Sequence, residues 1–122
     1  MRHLKKKKTL DRPTAHRIWL VKNLATQLVL YEKIKTTEAK AKVLRPYVER
    51  LITKGRINTV ATRRYLMKYL SIENAVKKVL EEIAPRYTTR PGGYTRIVKL
   101  PQRQGDAAKM ARIEFVEAQP RS

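Results

Sequence analysis

Between Ala84 and Arg96 the hydrophobic pattern of the chain changes period, and that change limits what the chain can fold into. Before this segment apolar residues recur at helical spacing; after it they alternate. The segment reads APRYTTRPGGYTR. Pro85 has no backbone N–H, so the preceding helix is expected to stop near Ala84. Gly92-Gly93 permits a positive-φ turn or a close backbone approach to a partner. Arg86, Tyr87, Arg90, Tyr94 and Arg96 surround that turn, with no acidic residue in the segment. Guanidinium groups fork onto phosphate oxygens, and tyrosines present a stacking face and a hydroxyl. The segment is a candidate nucleic-acid contact loop, set against the plainer reading of a helix-to-strand connection with solvated arginines.

The charge balance bears on that choice. The chain carries 29 Lys+Arg against 10 Asp+Glu over 122 residues, a net charge of +19. Self-repulsion destabilises a compact domain with such an excess, which makes a permanent polyanionic partner its natural counterpart. Nucleic acid is the first candidate, ahead of an anionic membrane surface or an acidic protein. Hydrophobic residues make up 42% of the chain, enough for one domain with one modest core. There is no cysteine, which removes disulfides, thiolate metal sites and a Cys nucleophile and fits a reducing compartment. No apolar run approaches the roughly 18 residues of a membrane-spanning helix. The basic start MRHLKKKKTL is not followed by the apolar region of a secretory signal. The expectation is a soluble, unprocessed chain.

Residues 1–12 carry Arg2, Lys5, Lys6, Lys7, Lys8 and Arg12 against Asp11 alone and show no periodicity. Such an arm orders on a polyanion by neutralising phosphates and releasing counterions. A first helix is expected from Ala15 to Tyr31, capped by Thr14, with Ile18, Val21, Leu24, Ala25 and Leu28 on its core face. Lys22, Asn23, Thr26 and Gln27 fall away from that face. Trp19 reads as core or interface rather than as a base-stacking residue. His16 and Arg17 stand in the first turn, where cations oppose the helix dipole and a phosphate would relieve the conflict.

Lys33 to Thr36 alternates and reads as a short strand. Thr37 caps a second helix, Glu38 to Lys54, with Ala41, Leu44, Val48, Leu51 and Ile52 as its buried stripe and Lys40, Lys42 and Arg45 exposed. Pro46 inside it predicts a kink or two successive helices. Gly55 ends it. Asn58 or Thr59 caps a short third helix to about Tyr69, bearing Arg63 and Arg64. Ser71 caps a fourth, Ile72 to Ala84. Tyr94 to Leu100 and Met110 to Val116 alternate and predict an antiparallel hairpin. No repeat and no second domain is visible.

Catalytic chemistry is not indicated. His3 and His16 lack a cysteine or acidic cluster with metal-ligand spacing, and contact with phosphate or stacking suits them better. Gly92-Gly93 matches neither a Walker loop nor a dinucleotide fingerprint. No catalytic residue, metal or cofactor is assigned.

The residues nevertheless form an ordered set. It comprises Met1-Arg2-His3, Leu10 to Arg12, His16-Arg17, Ile34 to Thr37, Lys40-Ala41-Lys42 with Leu44-Arg45, and Arg63-Arg64. It continues through Ile83 to Tyr87, Gly92 to Ile97, and Gly105-Asp106 with Met110-Ala111. Over nearly its whole length the chain resembles the bacterial-type large-subunit ribosomal protein seventeen family. Gly-Gly-Tyr-Thr-Arg after Ala-Pro-Arg-Tyr is the most specific part. The arm departs from the pattern: Lys5 to Thr9 stands where relatives usually have a Ser-Gly-Arg-Lys type run, and Asp11 where they usually have asparagine.

The resemblance implies an α+β fold, with about four helices packed on one face of a small three-stranded sheet and an extended basic N-terminal arm. Residues 1–13 would be the arm, 14–117 a single domain and 118–122 a tail. It implies a structural, non-enzymatic role binding large-subunit rRNA near the polypeptide exit region, in a cytoplasmic or organellar ribosome. Large-subunit ribosomal proteins twenty-two and thirty-two would be neighbours of a monomer, with no DNA, membrane or cofactor involved.

The expected RNA contacts fall into patches. Arg2, His3, Lys5, Lys6, Lys7, Lys8 and Arg12 belong to the arm. His16, Arg17 and Lys22 lie at the start of the first helix, and Lys35, Lys40 and Lys42 at the strand-to-helix junction. Arg63 and Arg64 form a third patch of the domain. Arg86, Tyr87, Arg90, Gly92, Gly93, Tyr94 and Arg96 form a fourth. Recognition would be mostly of backbone and shape. A DNA-binding regulator would instead need a recognition helix; the third and fourth helices lack its glycine turn and basic face. An RNA-processing enzyme would need a catalytic constellation, and a membrane-surface protein would use the arm and first helix.

Overall fold

The computed structural model describes residues 14–117. The expectations for the arm and for the tail beyond residue 117 lie outside the described residues. In chain order the elements are α1 (Thr14–Tyr31), β1 (Lys33–Thr37), α2 (Glu38–Gly55), α3 (Val60–Tyr69) and α4 (Glu73–Lys78). A π-helical turn (Val79–Ile83) and a closing α-turn, α5 (Ala84–Arg86), continue α4 as one fourth helix. β2 (Thr95–Leu100) and β3 (Met110–Phe115) follow. The strands form one antiparallel sheet in the order β1-β3-β2. The fold is α+β, as expected.

α2 is the helix that crosses the sheet, touching all three strands. Thr37 has extended backbone, and its hydroxyl accepts the Lys40 N–H at 3.3 Å. Glu38 in the first turn and Lys54 in the last complement the helix dipole. Ala41, Leu44, Val48, Leu51 and Ile52 are buried as the spacing predicts. Of the two expectations for Pro46, two successive helices are not seen: α2 is one helix of 18 residues that runs through the proline. Pro46 is on the exposed side, so the carbonyl that loses its donor is not driven into the core. The proline costs about 3 kcal/mol. Burial of Leu44, Val48, Leu51 and Ile52 offsets this at about 1.5–3 kcal/mol each.

α1 is buried through Val21, Ala25, Leu28 and Val29. Ile18, expected on the core face, is 60% exposed, and so is Trp19, which rules out its core reading. Burial on α1 begins only at Val21; no described element covers the first turns. Thr14 is the first helical residue rather than the residue before it. Thr26, expected on the wet side, is buried and satisfied: its hydroxyl donates to the Lys22 carbonyl at 2.9 Å and accepts the Ser71 N–H at 2.8 Å.

Ser71 is turned toward α1 and is not a helix cap. Its hydroxyl donates to Asn23 Oδ1 at 2.8 Å, pinning the α3–α4 link to α1, and the helix starts at Glu73 behind Ile72. The fourth helix also outlasts Pro85 and ends at Arg86. In a regular helix the proline ring would meet the carbonyl of Glu81; the π-turn holding Glu81 widens the spiral there.

Ile113, in the middle of β3, is fully buried between Ile34 and Ile97 of the flanking strands. These three point toward the helices. Successive side chains on a strand point to opposite sides, so the neighbours of Ile113 point away from the helical layer.

Candidate nucleic-acid interface

The face turned away from the helices is basic. Strand register aligns Lys33, Glu114 and Arg96 in one row, and Lys35, Arg112 and Val98 in the next. Lys33, Lys35 and Arg96 are exposed and Arg112 is half-buried. The face thus presents four cations against a single carboxylate. Glu114 accepts from Arg112 Nε at 2.7 Å and from Arg96 Nη2 at 3.1 Å. The Arg112 contact, helped by Arg96, holds the Glu114 carboxyl below the usual range. One carboxylate therefore orients two guanidinium groups, each with further N–H donors for a phosphate. Lys35 and Arg96 were expected contacts. Lys33 and Arg112 were not; their alternation was readable, but the pairing of β1 with β3 that puts them side by side was not.

At the start of α1, His16 is exposed and Arg17 partly so, with no acidic residue in the first turn. The His16 and Trp19 rings meet edge to face, 5.8 Å between centroids. Lys22 lies one turn further along, half-buried. At the β1–α2 junction Lys42 is bound to Glu38 at 3.1 Å, while Lys40 is half-buried on the first turn of α2. A cavity of about 330 Å³ opens there, lined by Thr37, Glu38, Lys42, Ala108 and Lys109. Arg63 and Arg64 are exposed on α3, apart from the sheet face in the order of elements.

The helix-to-strand loop departs most from expectation. Tyr87 and Tyr94 are 1% and 0% exposed. They are core residues, so the expected stacking faces for bases are absent. The Tyr87 hydroxyl donates to the Val116 carbonyl, and the Tyr94 hydroxyl bonds Thr53 Oγ1 at 3.0 Å. Burial pushes the Tyr87 phenol up. The fold also supplies the acids that the segment lacks: Arg86 forks onto Glu32, and Arg96 reaches Glu114. Arg90 Nη1 donates to the Gly93 carbonyl at 3.0 Å. Of the two glycines only Gly93 has positive φ, at 65°. Arg86, Thr89, Arg90 and Gly92 line a second cavity of about 330 Å³.

Glu32, which carries no signal in the sequence, is the acid on which Arg86 and Lys78 converge. It follows α1 with φ of 66°, a left-handed conformation that costs a side-chain-bearing residue about 1–2 kcal/mol. Its carboxylate sits at the negative end of α1. The Arg86 fork brings its pKa down to about 2 against the opposing effect of burial, with further help from Lys78 at 3.2 Å. Lys78 Nζ also donates to the Leu30 carbonyl at 2.8 Å, serving one of the orphan acceptors at the end of α1. In the β2–β3 loop, Arg103 pairs with Asp106 at 2.7 Å, and that contact holds Asp106 down to about 2.

Among the described residues no His, Asp and Glu side chains gather as a metal site, and no helix is long and apolar enough to cross a membrane. The arm residues Arg2, His3, Lys5, Lys6, Lys7, Lys8 and Arg12 lie outside the described residues. What the described surface offers is a braced, cation-rich sheet face with further basic patches on α1, α2 and α3.

Comparison with known proteins places the chain in a family. Residues 20–116 match the family model described as Ribosomal protein L17. A "Large ribosomal subunit protein bL17" from Gemmatimonas aurantiaca is 50% identical over 116 residues, covering 95% of this chain and 98% of the relative. The protein of that name from Hydrogenobaculum sp. is 50% identical over 118 residues, covering 96% and 100%. That from Neorickettsia sennetsu is 49% identical over 117 residues, covering 95% and 100%. With a family match over most of its length and relatives at this identity, the chain belongs to the ribosomal protein L17 family.

Proposed function

We propose that this protein is a structural constituent of the large ribosomal subunit that binds and stabilises folded large-subunit rRNA. Its role is structural rather than enzymatic. The observation that carries the reading is the outer sheet face, where Glu114 braces Arg96 and Arg112 beside Lys33 and Lys35 in a chain of net charge +19. A pre-oriented cationic face suits irregular folded RNA, whose phosphates and shape are recognised rather than its grooves. His16, Arg17 and Lys22, Lys40 and Lys42, Arg63 and Arg64, and Arg86 and Arg90 extend the contact in this reading. So do Gly92-Gly93, where the backbone approaches closely, and the basic arm. The site on the subunit is the polypeptide exit region, beside large-subunit ribosomal proteins twenty-two and thirty-two, in a cytoplasmic ribosome.

The test is sedimentation of the tagged protein from a lysate through a sucrose gradient, before and after a high-salt wash. Co-sedimentation with the large subunit through the wash is the expected result. A free protein, or one that tracks with DNA, overturns the proposal. Cross-linking within washed subunits then reads the neighbours directly.

A further inference from the structure

Trp19 is the only tryptophan in the chain, and it is 60% exposed on the second turn of α1. A side chain of that size left in water calls for a partner. Its helical neighbours are His16 one turn before it, and Lys22 and Asn23 one turn after it. The His16 ring stands edge to face against it at 5.8 Å and an interplanar angle of 66°, which limits the positions the indole takes. Asn23 is itself fixed by the Ser71 hydroxyl. No acidic residue occurs anywhere in α1.

A protein partner would be met by an apolar surround; Ile18 is also 60% exposed but lies a step round the helix, and the ring shares its own face with the small Ala15, a histidine, a lysine and an amide. An aromatic face inside a cationic and amide surround is the chemistry that takes an unstacked base, with the cations on the flanking phosphates. We infer that Trp19, steadied by His16, is a stacking platform for one unpaired base of a bound RNA, with Arg17 and Lys22 on the adjoining phosphates. This rests on the RNA-binding reading above and goes beyond it. It assigns a single-stranded nucleotide to one residue and reverses the expectation that Trp19 would not stack.

Because Trp19 is the sole tryptophan, its fluorescence reports this site alone. The full chain is titrated at physiological salt with a single-stranded oligoadenylate and with an RNA duplex of equal phosphate count. The expected result is strong quenching by the single strand and little by the duplex. In filter binding, Trp19→Ala is expected to weaken the single strand about tenfold, as loss of one stacked base does. Its salt dependence should not change, since stacking releases no counterions. Trp19→Phe should recover most of the loss. Circular dichroism melting of both variants should match the parent, since the indole is exposed. Equal quenching by duplex and single strand, or an unaltered affinity in Trp19→Ala, overturns the inference while leaving RNA binding intact. Quenching only by added large-subunit proteins overturns it in favour of a protein contact. Absence of any RNA binding overturns both this inference and the reading on which it rests.

Discussion

The rings of Tyr87 and Tyr94 lie against each other inside the core, 5.2 Å between centroids and 39° between planes. They tie the end of the fourth helix to the start of β2. The Thr53 hydroxyl donates its one proton to the Glu49 carbonyl at 3.1 Å, so in the Tyr94–Thr53 pair the tyrosine is the donor. Arg56 lies over the Tyr94 ring at 5.1 Å and donates to the Tyr87 carbonyl at 3.0 Å. Tyr94→Phe is expected to cost about 1 kcal/mol by loss of one hydrogen bond. Tyr94→Ala is expected to cost about 3–5 kcal/mol, the usual range for deleting a buried aromatic. Urea unfolding of the two variants checks both figures. A Tyr94→Ala protein with the parent's stability would contradict the core placement.

Gly55 shows a different use of a small residue. A Cβ built there would lie 2.8 Å from Val79 Cγ1, and Val79 is fully buried. The glycine is thus a packing requirement where α2 meets the π-turn, not a left-handed terminator: Arg56 after it is still right-handed. Alanine in a helix is favoured over glycine by about 1 kcal/mol, yet Gly55→Ala should lower stability by about 1–2 kcal/mol because the core must shift. In the double variant with Val79→Ala the two costs should fall short of their sum, since the space lost at one site is returned at the other. Chemical denaturation of the four proteins measures that coupling.

These two sites show what the sequence made legible. The stripe of α2, the Thr37 and Thr59 caps and the β2–β3 hairpin were readable because each depends on local spacing and local hydrogen bonds. Tyr87 and Tyr94 misled because a tyrosine beside arginines looks alike in a core and at an RNA surface until the fold places it. Ser71 misled for a related reason. Its cap position was local, but Asn23 and Thr26 of α1 claimed it from a distant part of the chain. The sheet face was half legible. Alternation assigned Lys35 and Arg96 correctly to strands, while only the β1-β3-β2 order unites them with Lys33 and Arg112 around Glu114.

Glu32 makes stability depend on acid. Arg86 and then Lys78 hold its folded pKa down to about 2, below the ordinary value of 4.5. A carboxyl depressed on folding stabilises the fold above its unfolded pKa and loses that contribution as pH falls through the folded one. The loss should therefore fall between about pH 5 and 2. Glu32 is 38% exposed and solvent screens the pair, so the contribution should be no more than about 1 kcal/mol. Melting as a function of pH should show Glu32→Gln less stable than the parent at pH 7 and equal to it near pH 2. Glu32→Gly should be more stable than Glu32→Ala at either pH, by about 1 kcal/mol, because the left-handed backbone favours glycine.

In the proposed reading, the sheet face sets the salt dependence of RNA binding. Lys33 and Lys35 are exposed on the edge strand β1, and Glu114 reaches neither of them in its hydrogen bonds, which go to Arg96 and Arg112. They are the two cations of the face whose removal leaves the braced pair in place. Neutralising both as Lys33→Gln/Lys35→Gln is expected to remove two phosphate contacts. The slope of log affinity against log salt should then fall by about 1.4–1.8, at 0.7–0.9 per contact. Melting temperature should hardly move, because both side chains are exposed. The control is Lys68→Gln/Lys77→Gln, the same charge change at exposed positions on α3 and α4. If the face acts as a specific surface, the control should retain the parent slope. If both pairs flatten the slope equally, net charge alone governs binding, and the braced arrangement around Glu114 has no special part in it.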